Sequence, residues 1–202
     1  MLVDAIIITY KYKGEKNMRK DFGADSAVYP MPVFIVAAYD EKSNPCCMNA
    51  AWGGIYDTKQ IMLCLAQDHK TTENIIKSNA FTVSIADAEH VIQADYVGIV
   101  SVNDVPDKMD KAGLTTQPSK FVNAPIINEF SMSIECKFLK FNEDGICIGE
   151  IVNISANESV LGEDGLVDPA KLQPITYDPI HNTYIKLGEK VGNAFSDGEQ
   201  LQ

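Results

Sequence analysis

The sequence has a single arginine, Arg19, so any anionic ligand must be held by lysine, hydroxyls or backbone N–H groups rather than by bidentate arginine clamps. Positive charge is scarce overall: 17 basic residues against 28 acidic ones give a net charge of −11. That balance excludes a general nucleic-acid binder, which needs a basic face to displace counterions. It suits a solvated acidic surface, or an acidic face for a basic redox partner. The five cysteines, at 46, 47, 64, 136 and 147, form no C-x-x-C, and His69, His90 and His181 are isolated, so no metal site is expected. Cys46 and Cys47 are read as reduced thiols, and Cys136 and Cys147 as small core hydrophobes. Neither G-x-x-x-x-G-K-[ST] nor G-x-G-x-x-G occurs, which excludes P-loop and dinucleotide-fold phosphate sites. No stretch approaches the roughly 20 apolar residues of a membrane span. The start of the chain lacks a basic segment and a small-residue cleavage site, so a cytoplasmic location without membrane contact is expected.

What is present is an ordinary globular composition, 46% apolar and 22% charged, over 202 residues, which suits one domain. Residues 1–17 read as an N-terminal extension outside the core, and 18–202 as a single domain. Strands are expected over 33–39, 47–52, 61–65 and 81–85. The clearest runs over 130–138, where Phe130, Met132, Ile134, Cys136 and Phe138 alternate with polar residues. After a turn at 142–145 it is followed by a partner over 146–154. Helices are expected over 71–78, 88–100 and 107–112, the last ended by Gly113. Beyond Asp168 the chain is rich in proline and reads as less regular, though it still carries Tyr177, Tyr184 and Phe195. Many strands with few helices predict a mainly β fold, a small antiparallel barrel with helical decoration.

Two segments carry chemistry. His69-Lys70-Thr71-Thr72 falls where a strand and a short polar loop lead into a helix. Free N–H groups and the positive end of the dipole attract an anion there, and Lys70 and two hydroxyls add donors. The same pattern also suits a plain helix cap. Asn49-Ala50-Ala51-Trp52-Gly53-Gly54 joins small residues to the only tryptophan, which lets backbone approach a flat ligand, or makes a hairpin strand with a core tryptophan.

These segments, together with Tyr29-Pro30-Met31-Pro32-Val33, Leu65 to Ile75, Ala94-Asp95-Tyr96-Val97-Gly98, Pro106-Asp107-Lys108, Glu150-Ile151-Val152-Asn153 and His181-Asn182-Thr183-Tyr184, resemble flavoredoxin-type members of the flavin reductase-like family. The resemblance runs in order from about Asp21 to Phe195. It implies an FMN-binding split β-barrel with a Greek-key arrangement, and a homodimer. By position it implies that Asn49, Ala50, Ala51 and Trp52 line the flavin and its ribityl chain. Leu65 and Ala66 would offer backbone to the ring, and His69, Lys70, Thr71 and Thr72 would hold the phosphate. Lys108 would lie at the flavin edge, with His181 and Tyr184 as lesser candidates for closing the pocket.

The function expected is therefore that of an FMN flavoprotein that transfers electrons. It would be a flavin reductase fed by NAD(P)H or a protein donor, or a flavoredoxin-type relay with no useful NAD(P)H turnover. A split barrel that has lost flavin is the third reading. No nucleophile–base pair or carboxylate pair stands out, so no catalytic acid or base is assigned.

Overall fold

The structure, a computed structural model, describes residues 19–202. The extension expected over 1–17 lies outside the described residues. In chain order the elements are β1 (Met31–Pro32), β2 (Phe34–Tyr39), β3 (Pro45–Ala50), β4 (Gly53–Asp57) and β5 (Gln60–Leu63). Next come α1 (Lys70–Ser78), β6 (Ala80–Ile85), α2 (Val91–Ile99), α3 (Lys108–Lys111), β7 (Thr116–Pro118) and β8 (Pro125–Ile127). The chain ends with β9 (Met132–Phe141), β10 (Cys147–Ala156), α4 (Pro169–Leu172), β11 (Ile175–Asp178) and β12 (Thr183–Lys186).

Seven strands form one antiparallel sheet in the order β3-β2-β6-β9-β10-β5-β4. β3 and β4 are its two outer strands, yet only Ala51 and Trp52 separate them in the chain. A flat sheet would hold these strands far apart, so the sheet curls and brings its two edges toward one another without pairing them, and the result is a split barrel. Its interior is one core: Phe34, Val36 and Ala38 of β2 meet Phe81 and Val83 of β6, Ile134 and Cys136 of β9, Ile61 and Leu63 of β5, and Ile75 of α1. The long partners β9 and β10 carry register shifts near Gly149 and Val152 that help the bend. Gly149 is required by packing: a Cβ there would lie 2.4 Å from Phe81 Cζ.

β2 reads as an unbroken apolar run because both its faces are covered. Ile35 and Ala37 point away from the barrel into a second core with Cys47, Ala94 and Val97 of α2, Met109 of α3, Phe130 and Ile175. The two helices α1 and α2 thus sit on opposite faces of the sheet at the β2–β3 end.

Three differences from the sequence reading stand out. The partner of β2 spans 45–50 rather than 47–52, in the register Phe34↔Ala50 to Tyr39↔Pro45. The helix expected over 88–100 spans Val91–Ile99, after a turn in which Asp87 Oδ1 accepts from the Glu89 and His90 N–H groups. The tail beyond Asp168 is regular: Asp168 caps α4, and β11 joins β1 and β12 in a three-stranded sheet. Met31 pairs with Tyr177 there, so β1 and β11 are partners far apart in sequence. Such short strands leave no local period to read. Among the described residues no helix is long and apolar enough to cross a membrane.

Candidate functional site

β3 is an edge strand with α1 on one face and α2 on the other, and a cavity of about 280 Å³ opens between the two helices along that edge. Cys46, Met48 and Asn49 of β3 form its floor. Residues 68–71 at the start of α1 form one wall, residues 97–102 at the end of α2 form the other, and Lys108 completes it.

The first wall is a helix start without a side-chain cap. His69 takes the cap position in an extended conformation and makes no capping hydrogen bond. The first helical bond runs from Glu73 N–H to His69 carbonyl at 3.0 Å. The N–H groups of Lys70, Thr71 and Thr72 precede it and have no helical acceptor. The Lys70 ammonium reaches Glu73 Oε2 at 2.9 Å, and that contact raises the lysine's pKa and lowers the glutamate's. Thr71 is buried, with Oγ1 3.2 Å from Cys46 Sγ. Thr72 is also buried; its Oγ1 has no protein partner, and it does not reach the cavity wall.

The second wall is pinned to the floor. Asn49 Nδ2 donates to Ala94 carbonyl at 2.9 Å. Gly98 lets α2 approach closely, since a Cβ there would lie 2.9 Å from Asn49 Cβ. Lys108, almost fully buried, donates from Nζ to the Val97 carbonyl at 3.1 Å and the Val100 carbonyl at 2.8 Å, closing the last turn of α2.

Beside this cavity lies a shallower one of about 280 Å³, sharing Asn49, Gly98 and Ile99 and adding Ala51, Asp95, Tyr177 and Tyr184. Tyr184 donates to Asp95 Oδ1 at 2.8 Å, which ties β12 to α2. Burial and then that carboxylate push the Tyr184 hydroxyl up to about 12.

The fold therefore brings Asn49, His69, Lys70, Thr71 and Lys108 to one cavity, and Ala51 and Tyr184 to its neighbour. The side chains of Ala50 and Leu65 lie in the barrel core, leaving only backbone for a ligand, and Ala66 is exposed. Trp52 is 54% exposed, so it is not a core tryptophan. His181 points to solvent and binds Asp178 Oδ2 through Nδ1 at 2.6 Å. Sequence reasoning missed Cys46 and the 97–102 wall; the one signal for the latter was Gly98, placed where two elements touch. Burial pushes the Cys46 thiol up and the Cys47 and Cys147 thiols up to about 12. Among the described residues no group of three His, Cys, Asp or Glu side chains is placed to hold a metal.

The wall chemistry is that of an anion site with room beside it for a larger group. The start of α1, Thr71 and the two lysines Lys70 and Lys108 line the cavity, against a single wall carboxylate, Asp68. Comparison with known proteins agrees with the architecture. The model of the flavin reductase like domain matches residues 26–180. Flavoredoxin of Desulfovibrio vulgaris (Miyazaki F) is 39% identical, with 90% of this chain and 100% of that one covered, at a TM-score of 0.86. An FMN-binding domain of a flavin reductase-like enzyme from Shewanella baltica shares the fold at 20% identity, covering 80% of this chain and 88% of that one, with a TM-score of 0.71. An uncharacterised protein of Aquifex aeolicus is 31% identical over 108 residues, 52% of this chain, and the match spans 55% of that protein's length.

Proposed function

Because the chain belongs to the flavin reductase-like family, we propose that it holds FMN in the cavity beside β3 and passes electrons through it. The observation that carries this reading is the uncapped start of α1, whose free N–H groups, with Lys70 and the Thr71 hydroxyl, open onto a cavity rather than onto bulk water. A helix start of this kind is a ready anion seat, and the donor set suits a phosphate.

In this reading Lys70, Thr71 and the His69–Thr72 backbone hold the phosphate. Asn49, Ala51 and the backbone of Ala50, Leu65 and Ala66 face the ribityl chain and ring, with Trp52 at the rim. Bound flavin would supply the redox chemistry, accepting and releasing a hydride or electrons at its ring. The chain's own share is binding, orientation and electrostatics.

NAD(P)H or a protein supplies the electrons. The 39% identity to a flavoredoxin favours a relay between proteins as the second reading. Visible absorbance of the protein as isolated, followed by anaerobic addition of NADH or NADPH, separates the two. A flavin spectrum that bleaches within seconds marks a reductase, and one that bleaches only with a protein donor marks the relay. A colourless protein that takes up no FMN sinks both. We also propose a homodimer. β4 is an open edge strand with exposed Ile55 and Tyr56, and Trp52 stands exposed just before it, an apolar margin that a second copy would cover. A monomer in sedimentation at micromolar concentration would contradict it.

A further inference from the structure

We propose that a second cavity, adjoining the first at Lys70, is a site for an adenine nucleotide, with the Asn74 amide meeting the edge of the base. This cavity has a volume of about 390 Å³ and shares Cys46, Lys70 and Val102 with the one beside β3. The β2–β3 turn, α1 and the stretch from Val102 to Asp110 surround it. Asn74, in the middle of α1, is among its lining residues and is only 1% exposed. Neither its Oδ1 nor its Nδ2 has a hydrogen-bond partner. A buried carboxamide left open at both ends is costly, and native folds complete such groups with a ligand or a water. Thr72, the other buried side chain without a partner among the described residues, lines neither cavity. Asn74 is thus the open group that a cavity occupant can reach.

The walls say what that occupant is. An amide offers a donor and an acceptor side by side, so its partner must offer the reverse. The edge of adenine does, which is why asparagine reads adenine bidentately in nucleic acids. Pro45, Pro106 and Met109 give apolar surface for a flat base. Three carboxylates also line the cavity, but they are not grouped to hold a metal. Asp40 holds its own turn by accepting from the Lys42 and Asn44 N–H groups, and Asp107 pairs with Lys111 at 3.0 Å. Asp110 makes no ion pair among the described residues. A carboxylate in that position suits ribose hydroxyls and rejects a 2′-phosphate. Lys70, where the two cavities join, suits the 5′-phosphate. The same adenylate forms half of a nicotinamide dinucleotide and half of FAD, and it also occurs free. If it comes from the electron donor, the site favours NADH over NADPH.

The site stands apart from the FMN reading, since a chain that takes no flavin would still bind AMP here. The test is calorimetric titration of the full, flavin-free chain with AMP and with ribose 5-phosphate, which lacks the base. AMP should bind saturably at one site per chain, and ribose 5-phosphate about tenfold or more weakly, the worth of one bidentate amide–base pair. Asn74→Leu should weaken AMP about 10- to 100-fold. It should leave ribose 5-phosphate and FMN within about twofold and the melting temperature unchanged or higher, because it removes an open buried amide. Should that variant not fold, Asp110→Ala, on the exposed rim, should weaken AMP about tenfold. Competition names the source of the adenylate. Displacement of AMP by NADH, and more weakly by NADPH, marks the nicotinamide dinucleotide. Displacement by FAD alone marks the dinucleotide flavin, and displacement by neither marks a free nucleotide. No saturable AMP binding, equal affinity for AMP and ribose 5-phosphate, or an Asn74→Leu protein that holds AMP as tightly as its parent overturns the proposal and leaves Asn74 to a buried water.

Discussion

Glu135 and Lys108 are both buried charges, at 1% and 2% exposure, and each is met by two neutral hydrogen-bond partners, but they belong to regions of different character. Glu135, on the outer face of β9, is met on each oxygen: Asn153 Nδ2 donates to Oε1 at 2.6 Å, and the Ser119 hydroxyl donates to Oε2. Around it Ser84 and Ser133 share a hydrogen bond of 2.8 Å, and Thr82 Oγ1 donates to the Pro125 carbonyl at 2.5 Å. These contacts fasten the β7–β8 hairpin over β6, β9 and β10. At the β3 edge, by contrast, three helix N–H groups at the start of α1 have no helical acceptor and no side-chain cap. Both regions are polar and both border cavities. What separates structure from site is whether the protein satisfies its own polar groups.

The comparison can be broken by exchanging consequences between the two regions. Glu135→Ala, which leaves the Asn153 amide and the Ser119 hydroxyl unpaired beneath the hairpin, should cost roughly 2–4 kcal/mol of stability. The urea midpoint would fall, while FMN affinity stays within about twofold. A matching loss of FMN affinity would show that the two regions are coupled. Next in size, Thr71→Val should weaken FMN about tenfold through one lost hydrogen bond to a charged group, with riboflavin unaffected. Thr72→Val should leave FMN binding alone and raise stability by up to about 1 kcal/mol, since it removes a buried hydroxyl with no partner. If the two threonines exchange these effects, the helix presents a different face to the cavity.

The smallest effect concerns the tie between β12 and α2. The Tyr184 hydroxyl is held protonated up to about 12, against an ordinary value of 10.0, by burial and by Asp95. A folded value above the unfolded one stabilises the fold fully below pH 10 and loses that contribution as pH rises from 10 to 12. Tyr184→Phe should therefore flatten the alkaline limb of the stability curve in that window, and one late-titrating tyrosine should vanish from the ultraviolet titration. A curve unchanged by the substitution would mean that the Tyr184–Asp95 contact does not hold in solution.

Much of the barrel was legible because its strands are local in their signal: β2 as an apolar run, β9 by alternation, β10 as its hairpin partner. The start of α1 was legible because a strand and a short polar loop lead into it at His69-Lys70-Thr71-Thr72, but its lack of a side-chain cap was not, since the threonines suited one. Other parts were not, for physical reasons. β1, β11 and β12 are two to four residues long and pair across most of the chain. Trp52 reads as core by type, but it lies at the sharp corner between β3 and β4 and stands exposed. The burial of Lys108, and its place across the cavity from α1, follow from packing α3 against α2 and β3, which no local pattern encodes. Thr71 and Thr72 are alike in sequence and part only when the helix turns one hydroxyl toward Cys46 and the other into the interior.

Equilibrium binding of FMN and riboflavin to the unaltered, flavin-free protein tests the central claim most directly, because the two ligands differ only in the phosphate. If the uncapped start of α1, with Lys70 and Thr71, forms the anion seat, FMN should bind about 100-fold or more tightly than riboflavin, as two or more charge-assisted hydrogen bonds imply. Inorganic phosphate should compete with FMN and not with riboflavin. Equal affinities for the two flavins, with phosphate inert, would contradict the account and return α1 to a helix that happens to lack a cap.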